Sequence, residues 1–395
     1  MKILVLAAFK PPGFVAKYGT PTDGYLGGQR KVGLLIRAML RAGHHVDVIS
    51  SAISCRNGWG IQRPGVCRYR TPDGEARVFH PPTWLRKPFG GLAMAAQVTR
   101  AALALAPRLK PDVVFAYNSL LPEACGVLAL QRVHGLPYVL EVDDLPGVRH
   151  SPRSARSLLN RLPWSAVLSG ASAFIAVNGP IADRLPHDGR PVHVLPGVLE
   201  DELVHGSQAR RAPFSRPTVR ALYAGNLSED RGADVLLRAI PDLPPGVQLR
   251  VAGAGVLAPA FECAARLAPD RCAFLGLLSG KQVSAELLSS DVAINTPERL
   301  TDQDGVFPFK ILEYLASGAL MISPRLPSIP GRDLRWCSDW DGSAAGLVDA
   351  LRTARGSYGR HRAAIADAGA WALSHFSIDA AAAAISQTVS GSSHR

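Results

Sequence analysis

VFPFKILEYLASG, residues 306–318, decides the reading of this chain, because it sets an anion site and a carboxylate at the two ends of one helical turn. Pro308 suits the first position of a helix, where its missing N–H costs nothing. The amides of Phe309, Lys310 and Ile311 are therefore expected unpaired at a positive dipole end, and such an end binds phosphate. Lys310 adds a mobile full charge beside them. Glu313 follows on the same helix as an acceptor suited to a pair of sugar hydroxyls. With Phe307 and Phe309 flanking the proline, the segment describes half of a nucleotide-sugar site. Alone, it also fits an ordinary amphipathic helix in which Ile311, Leu312 and Leu315 face a core, Lys310 and Glu313 form an i,i+3 pair and Gly318 ends the turn.

Its neighbours favour the first reading. Before it lies DVAINTP, residues 291–297, an apolar strand ending in a turn; after it comes ALMISP, residues 319–324, another short buried strand. Ligands of such β–loop–α–β units sit beyond the carboxyl ends of the strands, here at the loop 296–307. The same alternation runs the length of the chain. Strands are expected at 3–8, 46–50, 113–117, 138–142, 173–177 and 192–195, with helices at 28–42, 92–109 and 122–134. It restarts with strands at 219–224, 248–252, 273–275, 292–295 and 320–323, and helices at 232–240, 256–268, 280–289, 308–317 and 343–354. The fold class is therefore α/β, two doubly wound Rossmann-like domains. The first is expected over 1–200 and the second over 218–376. The charged, Pro-punctuated stretch 201–217 reads as the linker, residues 51–90 as a long irregular excursion, and 378–388 as an alanine-rich terminal helix.

Composition agrees with two sizeable cores: 395 residues, 47% apolar and 19% charged. The formal charge of +12 suits an anionic substrate or an anionic membrane surface. No aromatic–basic tract, zinc knuckle or helix-turn-helix pattern points to nucleic acid, so none is expected as a partner. The six cysteines are scattered without a C-x-x-C pair and read as reduced structural thiols. Lys2 before the apolar run 3–9 has no small-residue cleavage site after it and reads as a first buried strand, which fits the cytoplasm. The uncharged stretch 162–182 has the length of a membrane span but is broken by serines, Gly170 and Asn178-Gly-Pro180, so a helix end plus a strand is expected.

In its motifs the chain resembles the family 4 glycosyltransferases, retaining enzymes of the GT-B fold, in the variant P-x-K-x-x-E-Y-x-A-x-G. The resemblance covers nearly the whole chain. It includes Gly27-Gly28 before a helix, GHHV at 43–46, YAGNL at 223–227 with Arg231-Gly232, LRVAG at 249–253 and FLGLL at 274–278. It implies transfer of a sugar from a nucleotide diphosphate sugar, UDP- or GDP-linked, to a hydroxyl acceptor that is a saccharide or lipid-linked, without cofactor or metal. Donor contacts are then expected at Gly27, Gly28, Gly225, Asn226, Arg231, Gly276, Leu277, Leu278, Asp304, Phe307, Phe309, Lys310 and Glu313. The resembled fold also sends its terminal helix, here 377–390, back to the first domain. The chain departs from the pattern twice. Asn226 stands where many members carry Arg, and Gly305 stands where many carry the first of two glutamates, leaving Asp302 or Asp304 as substitutes or as solvated loop carboxylates.

On the first domain, EVDD at 141–144 puts three carboxylates at a strand's carboxyl end, two of them on one face: an acceptor site, a helix cap or a divalent-ion site. The resemblance favours Asp144 first and Asp143 second as acceptor-side residues, with Asn118 at the end of the strand 113–117. For His44, His45 and His134, packing is expected rather than ligation, since their spacing does not suit a metal. Arg149, Arg153, Arg156 and Arg161 around Leu158, Leu159, Leu162, Trp164 and Leu168 fit either a solvated domain helix or a peripheral attachment to the inner face of an anionic membrane; TWLRKPF at 83–89 repeats the theme. Two further readings stay open: a sugar-nucleotide epimerase of the same fold, and a non-catalytic nucleotide-sugar-binding subunit motivated by Gly305 and Asn226.

Overall fold

The computed structural model describes residues 1–14, 26–52, 61–84, 90–118, 120–145, 155–208, 210, 212–297, 307–324, 334, 337 and 340–392. Strands β1 (Lys2–Ala7), β2 (His45–Ser50), β3 (Gly65–Thr71), β4 (Gly74–His80), β5 (Val113–Tyr117), β6 (Tyr138–Val142), β7 (Ala173–Ala176) and β8 (Val192–Val194) form one sheet, in the order β8-β7-β6-β5-β1-β2-β4-β3. All neighbours are parallel except β3 and β4. The central strands are buried along their whole length, which is why VVFAY and AFIA read as unbroken apolar runs, and YVLEV as one interrupted only by Glu141, instead of alternating.

Strands β9 (Val219–Ala224), β10 (Val247–Ala252), β11 (Cys272–Gly276), β12 (Val292–Ile294) and β13 (Leu320–Ile322) make a second, all-parallel sheet ordered β11-β10-β9-β12-β13. Two doubly wound sheets with helices between their strands are the predicted α/β class. In both sheets the parallel strands direct their carboxyl ends, and the loops that follow them, to one edge.

Three expectations about elements are corrected. Within 51–90 the chain forms the hairpin β3–β4, whose period of two was hidden by arginines on the outer strand; Arg68 and Arg70 pair there with Glu75 at 3.1 and 2.9 Å. Residues of the expected linker form a helix, Asp201–Gln208, because Leu203 is buried beneath it and its acidic start meets arginines of the helix Leu26–Arg41. The helix expected to end at 354 runs from Ala344 to Phe376. Gly356 and Gly359 lie on its exposed face, where each costs only about 1 kcal/mol, while Ile365, Ala368, Ala372 and Phe376 are buried further on.

The helix Ile378–Ser392 lies against Leu26–Arg41 and on β6 and β7, burying Ile378, Ala381, Ile385 and Val389 in the core of the first sheet. That core is continuous with Leu222, Leu287, Ile311, Leu312 and Met321 of the second half. The stretch 162–182 resolves into the helix Trp164–Gly170 and strand β7. Among the described residues no helix is long and apolar enough to cross a membrane. Five cysteines fall among them, all free: Cys67, Cys125, Cys263, Cys272 and Cys337. His44 is a packing residue, its Nε2 2.9 Å from Ser386 Oγ.

Candidate active site

On the second sheet the loops that follow β9, β10 and β12 interlock through glycines. Gly225 N–H donates to Ala252 at 3.0 Å, and Tyr223 Oη donates to the Asn226 carbonyl at 2.8 Å. Gly253 has φ of 148°, and a Cβ there would sit 1.8 Å from the Gly225 oxygen, so no side chain fits. Arg231 ends a short 3-10 turn, Glu229–Arg231, closed by Gly232 at φ 69°. A Cβ on Gly232 would meet the Pro297 carbonyl at 2.5 Å, and Thr296 Oγ1 donates to the Arg231 carbonyl at 2.5 Å. The backbone of Arg231 is thereby fixed to the loop after β12. Its guanidinium lies 3.7 Å from Asp230.

The helix of the opening motif spans Lys310–Ser317. It begins two residues later than Pro308 predicted, and its Ile311 N–H is not an orphan: it donates to the Pro308 carbonyl at 3.0 Å, as Leu312 N–H does to Phe309 at 3.1 Å. The tight 3-10-like start consumes an amide that the sequence had assigned to phosphate. Lys310 Nζ stands 4.8 Å over the Tyr223 ring, at the end of β9 beside Gly225 and Asn226. Gly276, at φ 66°, ends β11 and accepts from Gly253 N–H at 2.8 Å; Leu277 is exposed and Leu278 half-buried just beyond it. Phe307 is buried, and Phe309 is half-buried against Gly197. Asp302, Asp304 and Gly305 lie outside the described residues.

Glu313 is buried and faces across to the first half of the chain. Its Oε1 is 2.7 Å from Nη2 of Arg30. Burial pushes this carboxyl above the ordinary glutamate range, with the opposing attraction of Arg30 too small to cancel it. Arg30 belongs to the helix Leu26–Arg41, so Gly27 and Gly28 lie within its first turn rather than ahead of it. At Gly28 a Cβ would come 3.7 Å from Tyr117 Oη, an ordinary contact.

Lys31, the next residue, is fully buried and reaches the carboxylates that end β6. Its Nζ is 2.6 Å from Asp143 Oδ1 and 2.7 Å from Glu141 Oε1, while Tyr117 Oη donates to Asp143 Oδ2 at 2.9 Å. Burial alone would lower the lysine's pKa, but Asp143 and Glu141 more than offset it and hold the ammonium charged. Glu141, with no exposed surface, is raised by desolvation despite Lys31. Asn118 sits at φ 49°, takes its N–H to the Glu141 carbonyl at 2.9 Å and accepts from Asp144 N–H at 3.1 Å. Asn118, Asp143 and Asp144 are thus one cluster, and the three carboxylates divide: Glu141 points inward with Asp143 onto Lys31. Among the described residues no group of three His, Cys, Asp or Glu is arranged to hold a metal ion.

Arg30, Lys31 and Tyr117 are not singled out by the sequence, nor is Glu200, whose Oε1 lies 3.2 Å from Arg30 Nε. Lys31 carried a readable signal: it falls three and four residues before Leu34 and Leu35, a charge inside the apolar stripe of its own helix.

Two family models match. The model of the glycosyl transferase 4-like domain matches residues 27–197, and that of the glycosyl transferases group 1 matches residues 218–352. No protein of curated function matches the chain in sequence. Among solved structures, the chain is similar to the sucrose-phosphate synthase of Thermosynechococcus elongatus, with a TM-score of 0.65, 16% identity and 98% of each chain covered. It is also similar to Anabaena HepE in complex with UDP, at a TM-score of 0.63, 16% identity and coverage of 99% of this chain and 100% of that one. The catalytic domain of Arabidopsis thaliana starch synthase IV, bound to ADP and acarbose, follows at 0.62, 13% identity and 100% of each chain. Two such domains in this order, on two Rossmann-like sheets, place the chain in the family 4-like glycosyltransferases of the GT-B fold.

Proposed function

We propose that this glycosyltransferase moves a hexosyl group from a UDP- or GDP-sugar to a hydroxyl of a saccharide or lipid-linked acceptor of the cell envelope, with retention of anomeric configuration. One observation carries the reading: the consecutive residues Arg30 and Lys31 reach Glu313 on one side and Asp143 on the other. The expected donor helix and the expected acceptor carboxylates therefore meet at a single helical turn. That similar structures hold UDP and ADP supports a nucleotide-linked donor.

In this reading Gly225, Asn226 and Arg231 border the diphosphate with Lys310, and Glu313 accepts from the ribose hydroxyls. Leu277 and Leu278 flank the base. Arg231 and Lys310 stabilise the leaving diphosphate electrostatically, so that turnover proceeds without a divalent ion. The acceptor hydroxyl, oriented by Asp144 and Asn118, attacks the anomeric carbon from the face the diphosphate leaves. Its proton passes to the departing phosphate oxygen as the C–O bond to phosphate breaks. Arg161, exposed between Leu158 and Leu162, adds peripheral attachment to an anionic membrane; the side chains of Arg149, Arg153 and Arg156 lie outside the described residues.

The test is incubation with UDP-glucose and GDP-mannose, with and without cell-envelope lipid extract, in EDTA. NMR then reads the fate of the sugar. Acceptor-dependent transfer with the anomeric configuration kept is expected. An epimerised nucleotide sugar without acceptor, or binding with no turnover in any arm even with magnesium restored, would overturn it.

A further inference from the structure

We propose that Arg30 is a donor-binding residue that exchanges partners: its guanidinium holds Glu313 until a nucleotide diphosphate takes that carboxylate, and then pairs with the diphosphate. The proposal rests on the reading of Glu313 as the ribose acceptor and deepens it. Arg30 Nη2 occupies Oε1 of Glu313 at 2.7 Å, so a diol that takes both carboxylate oxygens competes with the guanidinium.

The geometry of the pair points to exchange. Arg30 Nη2 and Glu313 Oε1 stand at ion-pair distance, yet both are buried and neither has an aligned hydrogen bond among the described residues. The pair keeps its charge attraction but lacks the added strength of an aligned, charge-assisted hydrogen bond. A bound nucleotide has complementary groups for both. A ribose hydroxyl donates to the carboxylate, and a phosphate oxygen accepts from the guanidinium fork. The two groups are of opposite charge, and one ligand class offers each a better-aligned partner.

Arg30 is also built to swing without leaving the site. Its Nε stays 3.2 Å from Glu200 Oε1, and Glu200 Oε2 is in turn 3.1 Å from Arg37 Nη1, so the base of the guanidinium is tethered while Nη2 is the end that holds Glu313. Gly280 permits this tether: a Cβ there would stand 2.5 Å from Glu200 Oε1 and 3.0 Å from Arg30 Nε. The guanidinium already lies 5.9 Å from the centre of the Phe309 ring, next to Lys310 at the start of the helix where the phosphates are placed. A short rotation takes the charge from Glu313 towards that end.

The two partners separate in a binding experiment with UDP and uridine, or GDP and guanosine if the wild type prefers that base. Arg30→Met removes the cation and keeps the length. Titration calorimetry should show diphosphate affinity falling at least tenfold, while nucleoside affinity stays level or rises because the competitor for Glu313 is gone. Arg30→Lys, which keeps a charge, should recover part of the diphosphate preference and provides a check on folding. Equal loss for nucleotide and nucleoside, or unchanged diphosphate affinity, would overturn the exchange while leaving the donor reading standing. No binding of either diphosphate by the wild type would overturn both.

Discussion

Gly197 and Phe309 touch across the two halves of the chain so closely that a Cβ on Gly197 would lie 2.3 Å from the phenyl Cδ2. Gly197 follows the last strand of the first sheet, and Phe309 immediately precedes the helix that carries Lys310 and Glu313. The contact therefore sets how that helix is seated against the first domain. Gly197→Ala should cost about 1–3 kcal/mol through overpacking, lowering Tm and displacing the Lys310–Ser317 helix. Adding Phe309→Leu should recover most of the loss in thermal melts. Additive losses in the double variant would show that the two residues do not communicate.

Lys31 holds two carboxylates in a site it fills completely, so its removal should be severe. Breaking a buried pair costs about 3–5 kcal/mol because the partner is left charged and unsolvated. Lys31→Met should therefore unfold or strongly destabilise the first domain. Asp143→Asn in the same chain should restore part of that stability, since one stranded charge is gone. A double-mutant cycle in urea measures the coupling; no recovery would place the cost in packing of the lysine stem instead.

The strands and most helices were legible because parallel buried strands read as short apolar runs and the helices between them carry caps and periodic faces. The strand 219–224 and the helix 280–289 fall where they were expected, the latter fixed by the reciprocal Ser279–Gln282 box. What was not legible is long-range. Arg30 meets Glu313 across most of the chain's length, and nothing local at either residue announces the other. The start of the Lys310 helix shows a second limit. Pro308 fits the first helical position by propensity, but its carbonyl captured Ile311 N–H, a choice between 3-10 and α geometry that the sequence leaves open. Trp164 shows a third. Beside arginines and leucines it reads as an interfacial anchor, yet it is half-buried against the first core.

Glu123 should give the first domain a pH-dependent stability. It is buried, Ser51 Oγ donates to its Oε1, and Oε2 has no hydrogen-bond partner among the described residues. Burial pushes its pKa up to about 7, above the value it regains on unfolding. The folded state thus holds the proton more tightly, and stability falls as pH rises from about 4.5 to about 7, by at most roughly 3 kcal/mol. Glu123→Gln keeps the acceptor for Ser51 and carries no charge. It should leave stability at pH 4.5 nearly unchanged and raise it at pH 8, and melts of the two proteins that stay parallel across this range would refute the assignment.

The surface around Arg161 yields the last prediction. Leu158 and Leu162 are 53% and 75% exposed, and Arg161 between them is exposed as well, at the end of the helix Ala155–Arg161. Trp164 is already committed to the core, so the leucines, not the tryptophan, are the apolar groups free to enter a membrane interface. Each cation near an anionic leaflet contributes about 1 kcal/mol, a sum that salt screens, whereas leucine burial resists salt. Attachment that uses both should be anionic-lipid-dependent, weakened but not abolished by 0.5 M salt, and lost when Leu158→Ser and Leu162→Ser are combined with Arg161→Ser. Vesicle co-sedimentation reads this directly. Binding that vanishes in salt and ignores the leucine changes would assign attachment to the +12 charge of the chain as a whole. Equal recovery in the supernatant with anionic and neutral vesicles would leave that charge to the attraction of anionic substrate.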